Sequence, residues 1–343
     1  AGPGTTLNIN PTVTFTNAGT LTLGGTTHTI GTTNTNWTNT GTGSLVTFNS
    51  GTLDLNGIYT TTGLAANLAA GHYTRAAGTL FNFTGTLTNS GNTLDIGGAG
   101  IFGAGGLSAL NSGTIVGGTL VSGDGTVLNS SSGILDNVTI GSNLVENGFL
   151  QIRNNLTLAN GVTLDKGNSQ WNFITPGITQ HIGVVTGSAT INNAGGALFA
   201  AVGGAGTLQI DAGVTLQGYG SINQSSLADL VNNGSIIGNT AGQTFSISTN
   251  TLTNNGTLSV TAGTMNVGGT VFTNNAGVTA GPGTTLNINP TVTFTNAGTL
   301  TLGGTSHTIG TTNTNWTNTG TLAFNSGTLD LNGLYTTTGL TSN

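Results

Sequence analysis

Apolar side chains alternate with Thr and Asn along almost the whole chain. Segments such as TLSV at 257–260 and TLTL at 299–302 place Leu or Val at every second position. A period of two is typical of a β-strand whose two faces meet different surroundings. Gly interrupts the alternation at short intervals, so each strand is brief. We therefore predict an all-β chain built from many short strands.

A longer period is superimposed on this alternation. An aromatic residue or Leu is followed by Thr, Asn, any residue, Gly and Thr, and in the C-terminal part the glycines of this phrase are Gly234, Gly256, Gly277, Gly298 and Gly320. A strand-rich repeat of this length is typical of a β-solenoid. Because each period holds three apolar segments, we predict a single-stranded parallel β-helix with three short strands per rung of about 21–22 residues. Parallel crossovers are nearly always right-handed, and we expect a right-handed solenoid.

The period also predicts which side chains stack in the interior. In a strand, an inward aromatic residue is followed by an outward Thr and then by an inward Asn. Asn side chains stacked in this way can hydrogen-bond along the axis. The predicted structural core ladder contains Phe15, Trp37, Phe272, Phe294, Trp316, Asn17, Asn39, Asn254, Asn296 and Asn318.

A much longer repeat is also present. Residues 1–42 return at 280–321 with one substitution, and residues 48–64 return at 324–340 with one more. We interpret residues 1–343 as one continuous solenoid, in which 1–279 form a complete tandem unit and 280–343 begin the next. The expected partners are therefore copies of the chain itself, end to end or within a longer tandem chain. The period breaks twice, and irregular excursions are expected near 59–80 and 171–181.

Composition narrows the range of functions. Only 3% of the residues are charged, with three basic and nine acidic side chains. Three cations cannot neutralise a run of phosphates, so nucleic acid is excluded as a partner. No segment reaches the roughly 18 uninterrupted apolar residues of a membrane helix, so we expect no membrane insertion in this segment. The absence of Cys excludes disulfides and thiolate metal sites and is compatible with export.

Several phrases carry a resemblance to known proteins, among them GTLDLNGIYTTTGL at 51–64, SGILDNVTI at 132–140 and TLTNNGTL at 251–258. In these phrases the chain resembles giant bacterial surface proteins with filamentous-haemagglutinin-like or autotransporter-adhesin-like β-helix repeats. The resemblance implies an extracellular or cell-surface β-helix that acts as a stalk, fibre or adhesin shaft. It carries over no catalytic residues.

The function predicted first is a non-catalytic structural repeat unit of a secreted bacterial surface filament, fibre or adhesin stalk. The first alternative is a carbohydrate-binding adhesin segment that contacts surface glycans through Tyr59, Tyr73 or Trp171, of which Trp171 is expected to be exposed. A third is a polysaccharide-degrading β-helix enzyme. A minor alternative is an ice-binding solenoid, because outward Thr residues form columns.

Candidate catalytic and metal-binding groups are sparse. The acidic residues are scattered, and the nearest approach to a cluster is formed by Asp124, Asp136 and Glu146, whose spacing does not match the rung. His28 and His307 occupy the same position in two copies, in a column of Leu, and we expect both to be packed core residues. We therefore predict no catalytic, cofactor-binding or metal site, and no cofactor.

Overall fold

The computed structural model describes residues 1–335. The all-β class is confirmed: parallel strands stack into a β-solenoid of about 15 turns with three short strands per rung, and 2% of the chain is helical. The chain divides into two compact units, Ala1–Ile152 and Arg153–Asn343. Strand β17, Leu144–Leu158, contains the residues at which the first unit ends and the second begins.

The first unit holds sixteen strands before β17 and the helix α1, Thr61–Asn67. Its strands are β1 Thr6–Ile9, β2 Thr14–Thr16, β3 Thr20–Leu23, β4 Thr27–Ile30, β5 Asn36–Thr38, β6 Leu45–Phe48, β7 Thr52–Leu55, β8 Ile58–Thr60, β9 Tyr73–Arg75, β10 Leu80–Phe83, β11 Thr86–Thr88, β12 Thr93–Asp95, β13 Ala109–Asn111, β14 Thr114–Val116, β15 Thr119–Val121 and β16 Leu128–Ile140.

In the described part of the second unit, all regular elements are strands. After β17 these are β18 Thr163–Gly167, β19 Gln170–Phe173, β20 Thr179–Val184, β21 Ala189–Ala200, β22 Gly206–Ile210, β23 Val214–Gln224, β24 Ala228–Asn232, β25 Ser235–Asn254, β26 Thr257–Asn274, β27 Gly277–Ala280, β28 Thr285–Ile288, β29 Thr293–Asn296, β30 Thr299–Leu302, β31 Ser306–Ile309, β32 Asn315–Asn318, β33 Thr321–Phe324 and β34 Thr328–Leu331.

The predicted columns appear as strand register in the second unit. On one side of the rungs, Leu252 pairs with Phe272, Phe272 with Phe294, and Phe294 with Trp316. On another side Leu286 pairs with His307, which in turn pairs with Leu329. The members of each pair are separated by close to one sequence period, so the period read from the sequence is the rung length in this region.

The alignment of the repeated-phrase glycines between rungs needs one correction. Thr257 pairs with Gly277, and Gly277 pairs with Thr299. The residue that aligns with Gly256 and Gly298 is therefore Ala276, although the sequence phrase places Gly277 there. The misalignment arises because this copy of the phrase has one extra residue between its Asn and its Gly.

Rungs elsewhere are longer than the predicted period. In the first unit His28 pairs with Leu53, and Leu53 pairs with Phe81. In the second unit Ile182 pairs with Ile210. Each of these separations exceeds the sequence period. The extra residues leave the strands at corners, as in α1 and in the loop 97–107, so β7 pairs with β10, and β20 with β22, without a register shift.

Of the two expected excursions, the first contains α1, and the second is mostly regular. Strand β19 pairs with β21 and β20 pairs with β22, so only residues 174–178 between β19 and β20 lie outside strands. Within residues 1–335, no helix is long and apolar enough to cross a membrane.

Candidate functional site

A ladder of Asn side chains runs through the second unit. Asn232 Nδ2 donates to Asn254 Oδ1 at 2.7 Å, and Asn254 donates in the same way to Asn274 at 2.8 Å. The ladder continues from Asn274 to Asn296 and from Asn296 to Asn318, both at 2.7 Å. The first four amides are fully buried, and Asn318 is half-buried. Each rung is thus joined to the next by a side-chain bond as well as by its backbone.

The aromatic side chains of the same strands also stack. The rings of Phe272 and Phe294 lie 5.1 Å apart and nearly parallel, at 18°. Phe294 and Trp316 lie 6.3 Å apart at 8°. All three are buried, with Trp316 the most exposed at 6%. In the first unit Phe15 pairs with Trp37; Phe15 is half-buried and Trp37 is buried.

The first unit has the start of the same Asn ladder, and helix α1 interrupts it. Asn17 Nδ2 donates to Asn39 Oδ1 at 2.8 Å. Asn39 is fully buried, and its own Nδ2 donates to the backbone oxygens of Asn67 and His72. After β8 the chain turns into α1, capped by the Thr60 hydroxyl, which accepts from the Gly63 amide. No strand residue therefore continues the pairing along this side of β5.

The Asn67 side chain replaces the missing strand residue. Its Nδ2 donates to the Trp37 carbonyl at 2.6 Å, and its Oδ1 accepts from the Asn39 amide at 2.9 Å. In a parallel sheet, the N–H and the C=O of one residue of the next strand would satisfy these two groups. Because an unpaired buried backbone group is costly, this one side chain allows the helix to leave the ladder without exposing it.

A groove opens beside the Asn67 side chain, between β5 and α1. Its volume is about 440 Å³. Trp37, Tyr59 and Asn67, all buried, contribute to its lining, together with the more exposed Thr38 and Ala66. The Nε1 donor of Trp37 is buried and has no hydrogen-bond partner among residues 1–335. We refer to this feature as the α1 groove. It is the candidate binding site of the described chain.

The three residues expected to contact a ligand are not freely exposed. Tyr59 is 5% exposed, Tyr73 is 8% exposed and Trp171 is fully buried. The expectation that Trp171 is exposed is wrong. Its side chain points inward from β19, which is a paired strand of the solenoid and not a surface insert. Burial raises the pKa of both tyrosines. Of the three, Tyr59 alone lines the α1 groove, and its hydroxyl donates to the Asn56 carbonyl at 2.7 Å.

The two equivalent histidines lie in the core. His28 and His307 are both fully buried. The Nε2 of His28 accepts a hydrogen bond from the Gly25 amide at 3.0 Å, and that of His307 accepts from the Gly304 amide at 3.1 Å. An accepting Nε2 requires the neutral ring with its proton on Nδ1. Burial is the main reason that the pKa of each ring is lowered.

Several carboxylates accept hydrogen bonds from neighbouring rungs. Asp54 accepts from Asn82 at 2.9 Å, and Asp229 accepts from Asn250, also at 2.9 Å. Asp124 accepts from the Gly98 amide of the preceding rung and from the amide and hydroxyl of Thr126. These bonds lower the pKa of the Asp124 carboxyl, and the bond from the Thr126 hydroxyl has the largest effect.

Asp124, Asp136 and Glu146 lie in three different surroundings. Asp124 follows β15, Asp136 lies in β16 paired with Val116, and Glu146 is buried in β17. Within residues 1–335, no group of three His, Asp or Glu side chains could hold a metal ion.

One pairing was not predicted from the sequence. His181 Nδ1 and Asp211 Oδ1 lie 2.9 Å apart on the outer surface, and Gln209 donates to the same Asp211 oxygen at 2.6 Å. The local rung, in which Ile182 pairs with Ile210, is longer than the sequence period. The sequence period therefore does not indicate that His181 and Asp211 meet.

Comparison of the chain with protein-family models, with curated proteins and with solved structures finds no match.

Proposed function

We propose that this chain is a non-catalytic structural repeat unit of a secreted bacterial surface filament, fibre or adhesin stalk. The observation that carries the proposal is the Asn232–Asn318 ladder, in which each rung adds the same side-chain bond at 2.7–2.8 Å. A unit stabilised by nearest-neighbour rungs gains length with each repeat and needs no new core.

The charged groups support a structural role. Hydrolysis or elimination on a polysaccharide needs carboxylates free to exchange protons, placed together on one face. Here Asp54, Asp124 and Asp229 each accept hydrogen bonds from amide or hydroxyl groups of their own or adjacent rungs. Arg75 is also engaged, since its guanidinium donates to the carbonyls of Phe102 and Gly106. These groups are better suited to joining rungs than to catalysis.

The near-identical copies, 1–42 and 280–321, support tandem repetition of the same unit. In the proposal, copies follow one another in a longer chain or stack end to end at the bacterial surface. The outward Thr253, Thr273, Thr295 and Thr317 lie in register and favour ice binding as a minor second function. Asn315 interrupts the neighbouring outward column, so a flat Thr array is not continuous.

The experiment compares chains that contain one, two and three copies of residues 1–279 joined in tandem. Electron microscopy should give a particle length that rises by a constant increment on the order of 60 Å per copy, from a rung spacing of ~4.8 Å. A chain that forms separate globular particles, with no constant increment, would contradict the structural role. Antibody labelling of intact cells of the source organism tests the surface location, and staining only after lysis would contradict it.

A further inference from the structure

The α1 groove is where the first unit departs from a plain ladder. Strand β5 ends at Thr38 and the chain runs on through Thr40, while the segment that follows β8 enters α1. The groove is the space between them, about 440 Å³, which lies within the usual range of small-ligand sites. A helix packed closely against β5 would have filled it. The helix instead presents two small residues, Gly63 and Ala66, to this space.

Polar groups lie in the wall of the groove and beneath it. The Trp37 side chain is 98% buried, yet its Nε1 donor has no partner in the described part of the chain. The Asn67 amide uses one donor and one acceptor to bond β5, which leaves one of each. Thr38 and Thr40 line the wall of the groove with hydroxyl groups.

The chemistry of the lining selects the class of ligand. None of the residues that line the groove is charged. An anionic or cationic ligand would therefore lose its hydration without gaining an ion pair. The lining combines the hydroxyl groups of Thr38 and Thr40 with the Asn67 amide and with small accessible parts of the buried Trp37 and Tyr59 side chains, which suits a neutral molecule rich in hydroxyl groups. We propose that the α1 groove binds a neutral saccharide of one or two rings.

This binding activity adds to the proposed structural role and does not depend on it. The groove is formed by residues 36–88 of the first unit, so it can be occupied whether or not the chain is part of a filament. Failure to bind sugar would leave the tandem-length experiment unaffected, and the two proposals can fail separately.

The test titrates the full 343-residue chain with glucose, galactose, mannose, N-acetylglucosamine and their disaccharides, with glucuronic acid as the charged comparison. Isothermal calorimetry measures affinity, and the difference in tryptophan fluorescence response between the parent chain and Trp37→Phe reports on Trp37, since Trp171 and Trp316 also emit. We expect saturable binding of at least one neutral sugar in the millimolar range or tighter, and at least tenfold weaker binding of glucuronic acid. No binding by any neutral sugar at 20 mM, or stronger binding of the acid, would overturn the proposal.

Variants locate the site. Ala66→Phe places a ring in the groove from an exposed helix position and should abolish binding. The matched control is Thr62→Phe, which adds a ring to an exposed residue of the same helix outside the groove and should bind as the parent chain does. Thr38→Ala should weaken binding by about two- to tenfold, the effect of one hydrogen bond. Equal affinities of the two Phe variants, with unfolding curves unchanged, would place the sugar elsewhere and refute the assignment.

Discussion

The corner that follows each ladder Asn gives the sharpest test of how the rungs are stacked. A Cβ added to Gly298 would lie 2.0 Å from the Ala276 carbonyl oxygen, far inside ordinary contact distance. Gly298 does not have a positive φ, so the need for Gly here comes from the close approach of the rung below and not from a left-handed backbone. We predict that Gly298→Ala loosens this corner.

The chain contains a natural precedent for the size of the effect. Ala276 occupies the equivalent corner one rung earlier, and there the bond from the Gly277 amide to the Gly256 carbonyl is 3.3 Å long. At the corners with Gly, the corresponding bonds are 2.7 Å from Thr299 to Ala276 and 2.8 Å from Thr321 to Gly298. The corner therefore accepts a Cβ by lengthening one backbone hydrogen bond by about half an ångström, which weakens a bond worth roughly 0.5–1.5 kcal/mol net.

The matched control is Gly277→Ala, because a Cβ at Gly277 meets no atom within 4 Å and Gly277 also lacks a positive φ. Both variants restrict the unfolded chain by about the same 0.4–1 kcal/mol, so this contribution cancels in the comparison. Gly298→Ala should be less stable than Gly277→Ala by about 1–3 kcal/mol, once crowding at the corner is included. Urea unfolding gives the difference in free energy, and hydrogen exchange at the Thr299 amide gives the local loss. Equal stability and equally slow Thr299 exchange in the two variants would refute the reasoning.

Two further predictions concern the interior ladder and the buried histidines. Asn296→Leu removes the two ladder bonds of a fully buried amide, from Asn274 and to Asn318, together with its bond to the Thr321 carbonyl, so the free energy of unfolding should fall by about 1–3 kcal/mol. An exposed control, Asn315→Ala, should change little, and an Asn296→Leu chain as stable as the parent would contradict the ladder. Because the pKa of His28 and His307 is lowered in the folded chain, the unfolded chain binds more protons, and stability should fall as the pH drops below about 6.5. In the double variant His28→Leu/His307→Leu, unfolding measured between pH 7.5 and pH 5 should depend less steeply on pH, and an unchanged slope would show that other groups are responsible.

The regular part of the fold could be predicted from the sequence because the same side-chain type recurs at the same place in each rung. Phe272, Phe294 and Trp316 lie one above another in register. Where a rung has no insertion, the number of residues between two such side chains equals the length of the rung. The longer rungs could not be measured in this way: Leu53 pairs with Phe81 across such a rung, and its additional residues carry no repeated phrase. A corner insertion changes the spacing without changing the pattern of either strand.

The candidate site was predicted only in its location. The break in rhythm after Tyr59 marks the excursion, but the sequence does not indicate that Asn67 would pair with β5 or that a groove would open beside Trp37. Both depend on where the short helix α1 ends relative to the rung below. For Trp171 the same kind of break was misleading, because the ring lies in a strand that keeps its pairing and is fully buried.

The Asn67 contact suggests how a repetitive solenoid can acquire a site without losing its ladder. A departing chain leaves one backbone carbonyl and one amide of the rung below unpaired, here those of Trp37 and Asn39. A single side-chain amide has the donor and the acceptor that both groups need, so an insertion that ends in Asn at the right place costs the rung little. The second copy begins the same departure: the Leu334 amide donates to the Thr314 carbonyl at 3.0 Å, as Ile58 does to Thr35 at 2.8 Å. The ring of Trp316, the counterpart of Trp37, lies 6.2 Å from that of Tyr335, the counterpart of Tyr59. If tandem repetition adds length, it also repeats this departure point, so each further unit would present another groove at a fixed interval along the shaft.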